Sequence, residues 1–146
     1  MKIRTYRAHS KWIEGTKLHT KIREFTVNTD EPFELKGTNT APNPVELLLA
    51  ALGGCIVITY YGYAKKFGID INNLLVNLEG DIIPGGWDDE QGKRRRGFKE
   101  IRYEVQLKTE APKEKVFQLH QLVVEKCSIS DMLINPTEVK GNFNID

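Results

Sequence analysis

Two cysteines, Cys55 and Cys127, are the residues of this chain best suited to chemistry. A cysteine thiolate is a nucleophile that oxidises through a sulfenic acid to a disulfide, so two thiols brought together form a redox pair. Gly53-Gly54 precede Cys55 and leave one face of a helix bare, which opens space beside the thiol. Cys127 is followed by Ser128-Ile129-Ser130-Asp131, where Ser130 can cap a short helix. A thiol at such a start feels unpaired amide N–H groups, which favour its thiolate. The competing reading is that each cysteine is a small buried hydrophobe. His9, His19 and His120 are scattered, do not combine with the cysteines at metal-ligand spacing, and are expected at the surface. The chain has no Gly-x-Ser-x-Gly elbow and no glycine-rich nucleotide loop.

The element that must position Cys55 is a helix. Asn43 can cap it, Pro44 suits the first helical position, and Glu46 falls where a capping box wants it. From Leu47 to Ala64 the chain carries no charge, and Lys65-Lys66 and Gly68 supply the stop. Such a run lies at the lower edge of what crosses a bilayer. Gly53-Gly54, Thr59 and three tyrosines dilute it, and the flanks are patterned as strands, so a buried central helix is the better account. One sheet and one shorter helix cannot easily cover every side of it. Part of its surface is therefore expected to pack on a second copy, in an obligate dimer.

Before this helix, Lys2 to Ala8, Lys17 to Ile22 and Glu24 to Asn28 read as strands of an antiparallel meander. After it come a strand from Ile69 to Leu78, a loop around Pro84-Gly85-Gly86-Trp87, and a strand from Phe98 to Lys108. A second helix from Thr109 to about Cys127 and a closing strand from Thr137 to Ile145 complete the expected order. The fold class is thus α+β, one domain over residues 1–146, with antiparallel sheets around a long central helix. Leu52, Ile56, Ile58, Tyr60, Tyr61, Tyr63 and Phe67 surround Cys55 in sequence and could wall a pocket suited to a fatty or aryl substrate, or simply form core.

Composition narrows the partners. The formal charge of +1 gives no field to draw in nucleic acid or an anionic membrane, and neither is expected as a partner. Lys93-Arg94-Arg95-Arg96 is the one dense basic run, but Asp88-Asp89-Glu90 precede it, which suits a solvated loop or local hairpin. Two cysteines do not make a secreted disulfide scaffold, and the opening MKIRTYRAHSKW lacks the apolar stretch of a signal peptide, so a cytoplasmic location is expected.

The run from Asn43 to Cys55, NPVELLLAALGGC, followed far downstream by Cys127-Ser128-Ile129-Ser130, resembles the OsmC/Ohr family, that is, osmotically inducible protein C and organic hydroperoxide resistance proteins. The order of elements fits along nearly the whole chain. The resemblance implies an intertwined homodimer with active sites at the subunit interface and thiol peroxidase activity on organic hydroperoxides, with no cofactor. By position, Cys55 would be the peroxidatic cysteine and Cys127 the resolving one. A dithiol reductant would restore both thiols, and the hydroperoxide resistance branch uses lipoylated proteins for this.

The family activates its thiol with an arginine from the N-terminal strands, held by a glutamate near the start of the central helix. Arg23 is the candidate for the first, with Arg4, Arg7 and Lys36 as alternatives, and Glu46 is the candidate for the second. Glu46 and Cys55 are separated by two and a half helical turns, ~13.5 Å, and lie on opposite faces. If Glu46 contributes, it does so across the dimer interface; otherwise it is only a cap. The chain also departs from the hydroperoxide resistance pattern, with Val45 directly after the proline where those members have the glutamate, and Cys-Ser-Ile-Ser in place of Cys-Pro-x-Ser. It is similar to a divergent OsmC-like branch. The reading set against the peroxidase is a non-enzymatic dimer that binds an apolar small molecule beside inert, buried thiols; a stress protein contacting RNA through Lys93 to Arg96 is the third.

Overall fold

A computed structural model describes residues 1–145. The chain falls into two compact units, Met1–Leu48 and a second that begins at Leu49.

In the first unit, β1 (His9–Glu14), β2 (Lys17–Ile22) and β3 (Phe25–Thr29) form an antiparallel sheet in the order β1-β2-β3. Gly15, at φ +51°, makes the tight turn between β1 and β2. The turn between β2 and β3 is only Arg23-Glu24, with Ile22 opposite Phe25. The expected first strand is displaced: the segment from Lys2 to Ala8 is not a strand, and the alternation begins at His9. Beyond β3, Asp30 is 1% exposed and anchors the loop that follows. Its carboxylate accepts from the hydroxyls of Thr16 (2.6 Å), Thr38 (2.6 Å) and Thr40 (2.9 Å) and from the backbone N–H groups of Glu31, Thr38 and Thr40. A buried carboxylate needs such a set of donors to offset its lost hydration.

Helix α1 (Pro44–Ala64) starts as the sequence predicts. Glu46 Oε2 accepts the Asn43 N–H (2.8 Å), while the Glu46 N–H donates to Asn43 Oδ1 (3.0 Å). These two bonds are a reciprocal capping box. At the other end a 3-10 turn, Lys65–Phe67, runs into Gly68 at φ +64°, the left-handed stop that favours glycine.

The second unit pairs β4 (Asn73–Asp81) with β7 (Glu100–Lys108) antiparallel along nine residues, and a small hairpin joins β5 (Trp87–Asp88) to β6 (Arg94–Arg95). The basic run is spent inside this hairpin. Arg94 and Arg96 donate to the Gly85 carbonyl, Arg94 also pairs with Asp88, and Arg95 lies over the Trp87 ring and near Asp89. Helices α2 (Lys113–Lys126) and α3 (Ser128–Ile134) follow. The core gathers Leu52, Ile56, Tyr60 and Ala64 of α1 with Ile69, Leu119, Val123 and Cys127. Burying a side chain of this kind contributes about 1.5–3 kcal/mol. Gly53 is there for space, since a Cβ on it would meet Leu78 Cδ1 at 2.8 Å.

Two further expectations are corrected. Thr137 to Ile145 forms no strand, and Val139, Phe143 and Ile145 are each more than four-fifths exposed, so the pattern has no partner edge here. The second helix begins at Lys113, because Pro112 cannot donate a helical hydrogen bond and holds the residue before it extended. Helix α1 is covered on one side only, as expected of a single copy: Leu52, Gly53, Ile56, Tyr60 and Ala64 are buried, whereas Ala51, Gly54, Ile58, Tyr61 and Gly62 form an exposed stripe. The segment Pro44–Phe67 is long and apolar enough to cross a membrane by length and composition.

Candidate active site: a pair of thiols

Cys55 sits at the start of the fourth turn of α1, on the edge of its buried face, and is half-buried. Cys127 is 1% exposed and occupies the single residue between α2 and α3. Its N–H closes α2 by donating to the Val123 carbonyl (3.0 Å), and its carbonyl opens α3 by accepting from Asp131 (3.0 Å). Ser128, Ile129 and Ser130 therefore occupy the first turn of α3, where backbone N–H groups have no carbonyl of their own helix to serve. Those amides serve the sulfurs.

Both thiols are free, and each lies within hydrogen-bonding reach of the other. Their surroundings push them apart in acidity. Burial raises the Cys55 thiol, but the Ile129 N–H, the Cys127 thiol, the Ser128 N–H and the Thr59 hydroxyl together outweigh it and hold Cys55 below the ordinary cysteine range. The Thr59 hydroxyl has a single proton, which it shares between the sulfur and the Cys55 carbonyl oxygen at 2.7 Å, so the amides carry most of the effect. Cys127 goes the other way. Burial pushes it up, as does its neighbour Cys55, and the N–H groups of Ser130 and Ile129 only partly offset this. The sequence reading favoured thiolate at Cys127 because of the adjacent helix start. The structure corrects that: the first-turn amides of α3 also reach Cys55, and at Cys127 burial together with the neighbouring Cys55 outweighs the amides it keeps.

A mid-helix thiol gains little from its own helix, and the sequence suggests a cation beside Cys55; the structure places there backbone amides from a segment 73 residues downstream, at Ser128 and Ile129. Their signal in the sequence is the short Ser128-Ile129-Ser130 start, whose amides reach both sulfurs. Ser130 is not the cap, since Cys127 holds that position and no side chain caps α3.

The other site candidates lie in the first unit. Arg23 stands in the β2–β3 turn at φ +55°, a left-handed conformation uncommon for a residue with a side chain, with its guanidinium 5.0 Å from the centre of the Phe25 ring. Glu46 is engaged in the capping box. Of the alternatives, Arg4 and Arg7 line a shallow groove with Arg23, His9 and Lys21, and Lys36 ends the short 3-10 turn Phe33–Leu35 at φ +64°.

The residues expected to wall a pocket at Cys55 divide. Leu52, Ile56 and Tyr60 belong to the core, Tyr63 and Phe67 pack against it, and Ile58 and Tyr61 are each 71% exposed. His120 is not a surface residue: it is half-buried and bonded to the Tyr60 hydroxyl. Among the described residues no three of His, Cys, Asp and Glu gather as a metal site.

Antiparallel sheets and a long apolar helix define an α+β protein, in which a mid-helix thiol meets a second one at a helix junction. A comparison with protein families matches the OsmC-like protein model over residues 37–141, and the chain belongs to that family. Among solved structures, an OsmC-like protein from Mycoplasma pneumoniae superimposes with a TM-score of 0.78 at 20% identity, covering 91% of this chain and 89% of its own. An organic hydroperoxide resistance protein OsmC from Legionella pneumophila gives 0.65 at 17% identity, with 91% of each chain covered. An OsmC-like hydroperoxide resistance protein from Jannaschia gives 0.59 at 19%, with coverage of 94% and 90%. A comparison with curated protein sequences yields no match.

Proposed function

We propose that this protein is a thiol peroxidase that reduces organic hydroperoxides to alcohols, with Cys55 as the peroxidatic residue and Cys127 as the resolving one. The observation that carries this reading is the meeting of two free thiols, Cys55 of α1 and Cys127 at the start of α3, within reach of each other and of the first-turn amides of α3. The Cys55 thiolate attacks the terminal peroxide oxygen and the O–O bond breaks. The alkoxide leaves and takes up a proton as the alcohol, and Cys55 becomes a sulfenic acid.

The opposed shifts then order the second step. While Cys55 is a thiolate, its charge disfavours ionisation of Cys127; once Cys55 is a neutral sulfenic acid that penalty is gone. The Cys127 sulfur attacks the sulfenic sulfur, hydroxide leaves and gains the proton Cys127 has lost, and water and a disulfide result. A dithiol reductant, a lipoylated protein by family analogy, returns both thiols and is itself oxidised to a disulfide.

The stripe Ala51, Gly54, Ile58, Tyr61 and Gly62 supports a homodimer in which the helices of two copies pack closely over small residues, in preference to a membrane contact. Sedimentation at twice the 16.7 kDa chain mass is the expected result. Within such a dimer Arg23 would steady the thiolate and Glu46 would act across the interface, at a site shared by two subunits. The family match crosses residue 48, which supports one OsmC-like domain made of both units. A cytoplasmic setting, where reductants keep both thiols reduced, suits this cycle.

The direct test counts free thiols and measures mass before and after one equivalent of cumene hydroperoxide. Wild type loses two thiols, and Cys127→Ser accumulates a sulfenic acid on Cys55. Unchanged thiols in both proteins refute the peroxidase reading and favour a binding protein with inert thiols.

A further inference from the structure

A cavity of about 810 Å³ opens between α2 and β7, lined by Tyr60, Tyr103, Val105, Leu107, Phe117 and His120 among others, and neither thiol lines it. Pockets for small molecules run to ~300–1,000 Å³, mostly apolar with a few polar groups. At its base Tyr60, 2% exposed, donates its hydroxyl to His120 Nδ1 at 2.5 Å, and the two rings stack with centroids 6.1 Å apart. Burial and the neighbouring Tyr103 push the Tyr60 phenol up to about 12, so it keeps its proton, and with no other acceptor among the described residues this buried hydroxyl donates to His120. His120, accepting at Nδ1, carries its ring N–H at Nε2. No group among the described residues accepts that N–H.

Strand alternation sorts the charges around the cavity. Tyr103, Val105 and Leu107 share the face of β7 that looks toward the core, while Glu104 lies on the other face, where its carboxylate accepts from Gln106 Nε2 at 3.2 Å. The cation at the rim is Lys113, in the first turn of α2, which makes no ion pair among the described residues. The cavity thus combines apolar and aromatic walls with an uncommitted N–H donor and an uncommitted ammonium group, and its one carboxylate is turned away and occupied.

We propose that this cavity is a second ligand site, separate from the thiol pair, for an amphipathic monocarboxylate. The carboxylate is received by His120 Nε2–H and Lys113, and the hydrocarbon or aryl body lies between Phe117 and the Tyr103, Val105 and Leu107 side chains.

The test titrates the full-length reduced protein with sodium octanoate, 1-octanol and octylamine at pH 7.5, following the His120 ring and Phe117 signals by NMR. Octanoate gives saturable shifts at both residues and binds at least tenfold more tightly than the alcohol or the amine. Lys113→Gln, at an exposed position, weakens octanoate about tenfold and leaves the alcohol unchanged, as loss of a hydrogen bond to a charged group requires. Cys55→Ser binds octanoate as the wild type does, which keeps this site distinct from the peroxidase reading. Equal binding of all three probes, a preference for octylamine, or an unmoved His120 because a second copy covers the face would each overturn the proposal.

Discussion

Replacing Ser128 by proline isolates one of the amides that hold the Cys55 thiolate. The change is structurally mild. Ser128 is the first residue of α3, where a missing N–H breaks no helical bond and the fixed φ of proline is suited. The preceding residue, Cys127, sits at φ −72° and ψ 105°, the extended conformation that a residue before proline must adopt. What is lost is one N–H donor to the Cys55 sulfur. A hydrogen bond to a charged group contributes about 1.5 kcal/mol at the lower end, the end suited to one donor among several, and that is roughly a tenfold loss of thiolate at neutral pH. A less stabilised thiolate is also more nucleophilic, by a Brønsted slope of about 0.4–0.5, which returns roughly threefold. Alkylation of Cys55 by iodoacetamide, measured from pH 5 to 10 with Cys127→Ser as the common background, should therefore slow about three- to fourfold at pH 7. At alkaline pH, where both proteins are fully ionised, the proline variant should react about threefold faster. The two profiles cross. Parallel profiles, or a lower rate for the proline variant at every pH, would refute amide activation and point to a steric effect. The same arithmetic bears on the Cys-Ser-Ile-Ser segment: against the Cys-Pro-x-Ser pattern of the hydroperoxide resistance branch, serine supplies an amide that proline lacks.

Arg23→Gly separates a structural turn residue from a functional one. Glycine relieves a positive φ that costs a side-chain-bearing residue about 1–2 kcal/mol, against about 0.5–1 kcal/mol lost with the contact over Phe25. Urea unfolding should show stability unchanged or up by about 1 kcal/mol, while hydroperoxide turnover falls at least tenfold; retained turnover removes Arg23 from the site. Asp30 carries the clearest pH dependence. The hydroxyls of Thr16 and Thr38, with the groups of Thr40, hold its folded carboxyl far below the ordinary aspartate value of 3.8, against the opposing effect of burial. A depressed folded value means that its stabilisation is present above about pH 4, where the unfolded chain is ionised too, and is lost as pH falls through that value toward the folded one. Wild type should therefore lose stability steeply between pH 5 and 2, and Asp30→Asn, less stable at pH 7, should show a flatter profile in that window by urea midpoint. Equal slopes would show that other carboxylates govern acid unfolding.

Local rules made much of this molecule legible. The Asn43–Glu46 capping box, the stop at Gly68 and the strand Lys17–Ile22 each depend on residues within a few positions of one another, and the structure places them as the sequence predicts. The misplacements have a common physical origin. Lys2 to Ala8 and Thr137 to Ile145 alternate as strands do, but alternation only states that a segment could pair, and a strand exists where an edge receives it. The exposed stripe of α1 follows the same logic, because hydropathy reports that a face needs covering and says nothing of which chain covers it. The thiols are the sharper case. Spacing identifies Cys55 and Cys127 as a candidate pair, and the helix start at Ser128 is visible as a source of amides, yet which sulfur they favour depends on the packed arrangement. Both sulfurs share the first-turn donors of α3 and both are desolvated; at Cys55 the amides and the Cys127 thiol outweigh burial, whereas at Cys127 burial and the neighbouring Cys55 outweigh the amides. That balance arises from the approach of α1 to the start of α3, between residues more than seventy positions apart, and no motif encodes it.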